Sequence, residues 1–94
     1  MTTIRVERVQ TGVRLEKRLV KVLKATAEML DIPLGELIEG ICLHSFAGRS
    51  PFSAELREKI ESLKQVYGLD LGPEASHHMS EREDDECGDP ADAA

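Results

Sequence analysis

The stretch VQTGVRLEKRLVKVL, Val9 to Leu23, changes period partway along. From Val9 to Leu15 the apolar or β-branched residues fall on every second position: Val9, Thr11, Val13 and Leu15. Alternation of that kind is the mark of extended backbone with one covered face. From Leu19 onward the apolar set runs Leu19, Leu23, Thr26, Ala27 and Leu30, which is helical spacing. A short strand thus passes into a helix with almost no linker, and nothing downstream offers it a partner strand.

Working backwards, Ile4 and Val6 are even-numbered and out of phase with the odd-numbered set, so only about Val9 to Leu15 reads cleanly as a strand. Gly12 inside it weakens the strand or marks a close backbone approach. Working forwards, the first helix is expected over about Glu16 to Leu30, with Lys17, Arg18, Lys21 and Lys24 in its first half. Asp31-Ile32-Pro33 breaks it, because the residue before a proline is pushed out of the helical region. A second helix is expected from Pro33 or Leu34 to about Phe46, with Leu34, Leu37, Ile38, Ile41 and Ser45 on one face. Proline suits a first helical position and Glu36 suits the positive end of the helix dipole. A third helix is signalled by Ser50-Pro51 as cap and first position, by the face Leu56, Ile60, Leu63 and Tyr67, and by Gly68 as its stop.

Ninety-four residues allow one small domain with tails. A chain of this size buries a modest share of its surface, and association is a natural source of further core. With aromatics at 3%, Leu, Ile and Val must do the packing. No run approaches the roughly 18 apolar residues of a membrane helix, and no signal-peptide pattern opens the chain. Cys42 and Cys87 lie far apart, which is no disulfide framework and points to a reducing cytoplasm.

The formal charge of -6 hides an asymmetry. Residues 1–50 hold eight Lys/Arg against six Asp/Glu, a balance of +2, and residues 51–94 hold four against twelve, a balance of -8. Such a split often separates a half that meets a polyanion from an acidic end, although charge alone favours a plain solvated surface with a disordered end. From Gly72-Pro73 onward the chain is rich in Glu, Asp, Ser and Ala, and 73–94 is expected to be disordered because it has too little apolar surface to offset its ordering entropy. The expected layout is therefore 1–48, a folded amino-terminal domain; 49–72, an amphipathic third helix; and 73–94, the tail.

The order strand, helix, short turn, helix in VRLEKRLVKVLKATAEMLDIPLGELIEGI resembles the ribbon-helix-helix family of DNA-binding proteins. The resemblance lies in Val13-Arg14-Leu15 at the strand end, Leu19, Leu23 and Ala27 in the first helix, Asp31-Ile32 in the turn, and Gly35-Glu36-Leu37-Ile38 opening the second helix. It covers about residues 8–46. It implies a mainly α fold built as a homodimer, in which the strand pairs with its copy in an intermolecular, two-stranded antiparallel ribbon. Val9, Thr11, Val13, Leu15, Leu19, Leu23, Leu37, Ile38 and Ile41 would form the dimer core. The ribbon would enter the major groove of double-stranded DNA, with Arg8, Gln10, Gly12 and Arg14 at the base-reading positions. Gln10 suits adenine and Arg14 suits guanine, while Gly12 has no side chain to offer. Lys17 and Arg18, and the backbone N–H groups of Leu34, Gly35 and Glu36 at the second helix's amino end, would hold phosphates.

The implied function is a transcriptional regulator, a repressor, antitoxin or plasmid-control protein, with further dimers on the operator possible. The alternative is a dimeric protein-interaction module that works through helix 51–67 and the acidic tail. An enzyme has no support, since no Ser-His-Asp set, paired carboxylate motif or phosphate loop appears. No cofactor or metal is expected. Cys42 and His44 do not share a helix face, and His77-His78 with Cys87 read as solvated tail residues.

Overall fold

The computed structural model describes residues 3–81. They form three helices, α1 (Lys17–Leu30), α2 (Leu34–Phe46) and α3 (Ala54–Tyr67), followed by a 3-10 turn at Pro73–Ala75. α1 is the middle element and packs against both α2 and α3.

The boundaries follow from local chemistry. Glu16 holds extended backbone and its carboxylate accepts the Leu19 N–H at 2.8 Å, so an acid caps α1. At the other end Asp31 takes the left-handed conformation (φ 61°), which Asp tolerates better than most residues. The Asp31 and Ile32 N–H groups then return to the Glu28 and Ala27 carbonyls. Pro33 starts the next turn, and its carbonyl accepts from the N–H groups of Glu36 and Leu37. α3 ends on Gly68 in the left-handed region (φ 69°), as expected of a glycine stop. Its start lies later than the Ser50-Pro51 signal. The Ser50 hydroxyl is used in a local turn with Phe52, and Ser53 caps the helix by accepting the Leu56 N–H at 3.1 Å.

The core is thin. Val22 and Ala27 of α1 and Leu37 of α2 are the buried hydrophobic residues, all near 5% exposed, and Thr26 is the one buried polar residue among those described. Thr26 gives its hydroxyl to the Val22 carbonyl at 2.8 Å, so its burial leaves no donor unsatisfied. Leu19, Leu23, Ile41, Leu56, Ile60 and Leu63 are half-buried around this centre.

The expected ribbon is not seen. Among the described residues there is no strand, and 3–16 run without regular secondary structure ahead of α1. Val9 and Val13 are 80% and 62% exposed, and Thr11 and Leu15 are exposed too. The physical reason lies in what a period of two encodes. It favours extended backbone with two distinct faces, but a strand also requires a ladder of hydrogen bonds to a neighbour. Three helices have no free sheet edge to give. The architecture is accordingly all-helical, and the ribbon-helix-helix fold class is corrected.

Of the segment 73–94, residues 73–81 are described. Pro73–Ala75 is a hydrogen-bonded turn, with the Ala75 and Ser76 N–H groups donating to the Gly72 and Pro73 carbonyls. Residues 82–94, the rest of the segment expected to be disordered, lie outside the described residues. Among the described residues, no helix is long and apolar enough to cross a membrane.

Candidate nucleic-acid interface

Seven cations crowd the first 24 residues, Arg5, Arg8, Arg14, Lys17, Arg18, Lys21 and Lys24, against Glu7 and Glu16. The fold sorts them into two groups. Arg5, Arg8 and Arg14 lie along the extended arm of residues 3–16, all exposed. Lys17, Lys21 and Lys24 are spaced four and three apart, which places them on one face of α1, and all three are exposed. That face lies away from the buried Val22, Thr26 and Ala27. A basic arm therefore runs directly into a basic helical stripe.

The four positions expected to read bases, Arg8, Gln10, Gly12 and Arg14, are all exposed on the arm, and a side chain at Gly12 would meet nothing within 4 Å. Two of them already hold carboxylates. Arg8 makes a two-pronged pair with Glu39 on α2, through Nε to Oε2 at 2.7 Å and Nη2 to Oε1 at 2.9 Å. Arg14 pairs with Glu81. Arg18 is held from two sides. Its Nε meets Glu16 Oε2 at 2.9 Å, and its Nη1 donates to the Gly68 carbonyl at 2.9 Å and to Asp70 Oδ1 at 3.0 Å.

These contacts move the carboxyl groups. The hydrogen bond from Arg8 holds the Glu39 carboxyl below its ordinary value, against a smaller opposing effect of desolvation. At Glu16 burial is the largest influence and pushes the carboxyl up. Hydrogen bonds from Arg18 and the Leu19 N–H together outweigh it, and the net shift is downward.

The expected phosphate anchor at α2 is partly engaged already. The Glu36 N–H donates to Pro33, so Leu34 and Gly35 are the two anchor residues whose N–H groups precede the first bond of that turn. Gly35 is exposed with open space around its Cα. Lys17 and Arg18, the other residues expected to hold phosphate, are the first two residues of α1, so the two expected sets begin different helices.

The residues expected in the dimer core divide sharply. Leu37 is buried, Leu19, Leu23 and Ile41 are half-buried within the chain, and Ile38 is at the exposed limit. Val9, Thr11, Val13 and Leu15 are uncovered. Further apolar side chains stand exposed on α2, with Leu43 at 67% and Phe46 at 83%. His44 Nδ1 lies 2.8 Å from the Gly40 carbonyl, and among the described residues no His, Cys, Asp and Glu cluster has the form of a metal site.

Sequence reasoning missed Glu39, Asp70 and Glu81 as partners of the arginines. They lie 31, 52 and 67 residues from them, and only the fold brings them together. Lys21 and Lys24 were not among the expected phosphate contacts either, although their spacing from Lys17 is the signal that places them on its helix face.

No family model, no curated protein and no solved structure gives a significant match to this chain.

Proposed function

We propose that this chain is a DNA-binding transcriptional regulator, repressor- or antitoxin-like, that engages double-stranded DNA through its arginine-bearing arm and the lysine stripe of α1. The observation that carries this is the segregation of charge: seven cations against two acids over the first 24 residues, in a chain of net charge -6. Lysines one helical turn apart present a row of charges to successive phosphates. An extended arm with arginines suits a DNA groove, where guanidinium groups reach base edges or a narrow, strongly negative minor groove. Arg14 and Gln10 carry the side chains able to discriminate bases.

The working unit we propose is a homodimer. Among the described residues, a core of three hydrophobic residues and one threonine is too small to sustain a three-helix fold comfortably, and Ile38, Leu43 and Phe46 leave apolar surface on α2 uncovered. A second copy is the partner always present when the chain folds.

The same exposed surface favours a second reading, a module that binds another protein through α2 and α3, where Val66 is 73% exposed. Binding to the duplex upstream of the protein's own gene, followed as a salt series, separates the two. The regulator binds at low salt, with log affinity falling linearly against log salt. The module shows no such affinity. Arg14→Ala should cost about 1–3 kcal/mol on the preferred site and relax sequence preference. An equal loss on every sequence would remove Arg14 from base reading.

A further inference from the structure

We propose that carboxylates following α3 act as a tethered competitor of nucleic acid, so that DNA binds only as Asp70 and Glu81 release Arg18 and Arg14. The inference rests on the nucleic-acid reading above and adds its regulation.

Two contacts join the segment after α3 to the junction of the arm and α1. Gly68 turns the backbone out of α3 in the left-handed conformation, and its carbonyl together with the Asp70 carboxylate takes Arg18 at the start of α1. The chain then bends through the Pro73–Ala75 turn and reaches Arg14 on the arm with Glu81. The segment after α3 thus lies back against the root of the arm, and two of its carboxylates, Glu81 and Asp70, meet Arg14 of the arm and Arg18 just beyond it. In sequence the acidic character continues past Glu81 with Glu83, Asp84, Asp85 and Glu86.

A carboxylate on a guanidinium uses the same donors that a phosphate would use. With Arg14 at a base-reading position and Arg18 an expected phosphate contact, the segment therefore occupies two groups that DNA would use, in the way DNA would. The pairs are open to solvent, with side chains 65% and 67% exposed for Arg14–Glu81 and 37% and 81% for Arg18–Asp70. Exposed pairs of this kind are individually weak and readily exchanged, which suits a competitor better than a permanent brace. Tethering compensates for the weakness, because an attached ligand acts at an effective concentration in the millimolar range.

The competitor raises the threshold for every DNA sequence equally. Weak, sequence-independent binding falls away first, and a site with base contacts still overcomes it. It also leaves a signature in salt. Opening the internal pairs becomes easier as salt rises, which partly offsets the weakening of the attraction to phosphates. The native chain should therefore show a shallower salt slope than a chain without those carboxylates.

The test uses the full chain, a duplex from its own upstream region, and a Glu81→Gln/Asp70→Asn double variant. A control, Glu55→Gln/Glu58→Gln, removes the same charge from exposed positions on α3. At about 50 mM salt the double variant should bind about 3–10-fold more tightly than the native chain, with a steeper salt slope, while the control changes less than about twofold. Equal gains in both variants would reduce the effect to net charge and overturn the proposal. Equal affinity and slope for native chain and double variant would also overturn it, leaving DNA binding intact. No binding by any form would remove the nucleic-acid reading itself.

Discussion

The arm of residues 3–16 and the helix α1 that follows it are adjacent in sequence and equally regular in pattern, yet they have opposite fates. In α1 the repeat brings Val22 and Ala27 to about 5% exposure between two neighbouring helices. In the arm an equally clean repeat leaves Val9 and Val13 largely in solvent. The contrast separates two requirements that sequence patterns merge. A helix satisfies its backbone internally, so its apolar stripe needs only a surface to meet. An extended segment needs both a surface and a ladder, and here the apolar face of the arm has neither among the described residues.

The sharpest way to break this comparison is to truncate one residue on each side of it. Leu37→Ala, which empties the contact that α2 makes with α1, should cost about 2–4 kcal/mol in denaturant unfolding. Val9→Ala should change stability by less than about 0.5 kcal/mol. A large loss from Val9→Ala would mean that the arm's apolar face is covered in the working protein.

Helix ends come next in size. Gly68→Ala forces a side chain into the left-handed region at the close of α3 and should cost about 1–2 kcal/mol. Glu16→Ala removes the α1 cap and should cost about 0.5–1 kcal/mol, seen as fraying of the first turn in hydrogen exchange.

The α1 cap also carries a pH dependence. The Glu16 carboxyl is lower in the folded chain than in the unfolded one, so its contribution is fully present above the ordinary carboxylate value near 4.5 and fades as pH falls through the folded value. Glu39 is lowered in the same way by Arg8, and acidification through that range should release the arm from α2. The Arg8 Nε–H resonance reports this. Because the pair is open to solvent on the surface, its loss, or Glu39→Gln, should leave global stability nearly unchanged.

Much of the helical scaffold was legible in the residues. The periods around Leu19–Leu30 and Leu56–Tyr67, the break at Asp31-Ile32-Pro33 and the stop at Gly68 all act through neighbours in sequence, and the helices fall where these signals put them. The start of α3 was misjudged because two serines compete there, and only geometry shows that Ser50 turns on Phe52 while Ser53 caps. The ribbon was misjudged because Val9 to Leu15 specify a backbone conformation without specifying a neighbour. The arginines of the candidate interface were legible as charges. Their carboxylate partners were not, since Arg8–Glu39 and Arg14–Glu81 exist only through the packing of distant segments.

The central claim is that the arm and the lysine stripe of α1 form one surface for DNA. It is tested most directly by the salt dependence of duplex binding for the native chain and a Lys21→Ala/Lys24→Ala variant. Both lysines are exposed and lie off the core, so the fold should persist in the variant. The native chain should show a linear fall of log affinity against log salt, and the variant a slope smaller by about 2, near 0.9 for each phosphate no longer neutralised. An unchanged slope, or no affinity by the native chain at low salt, would contradict the account.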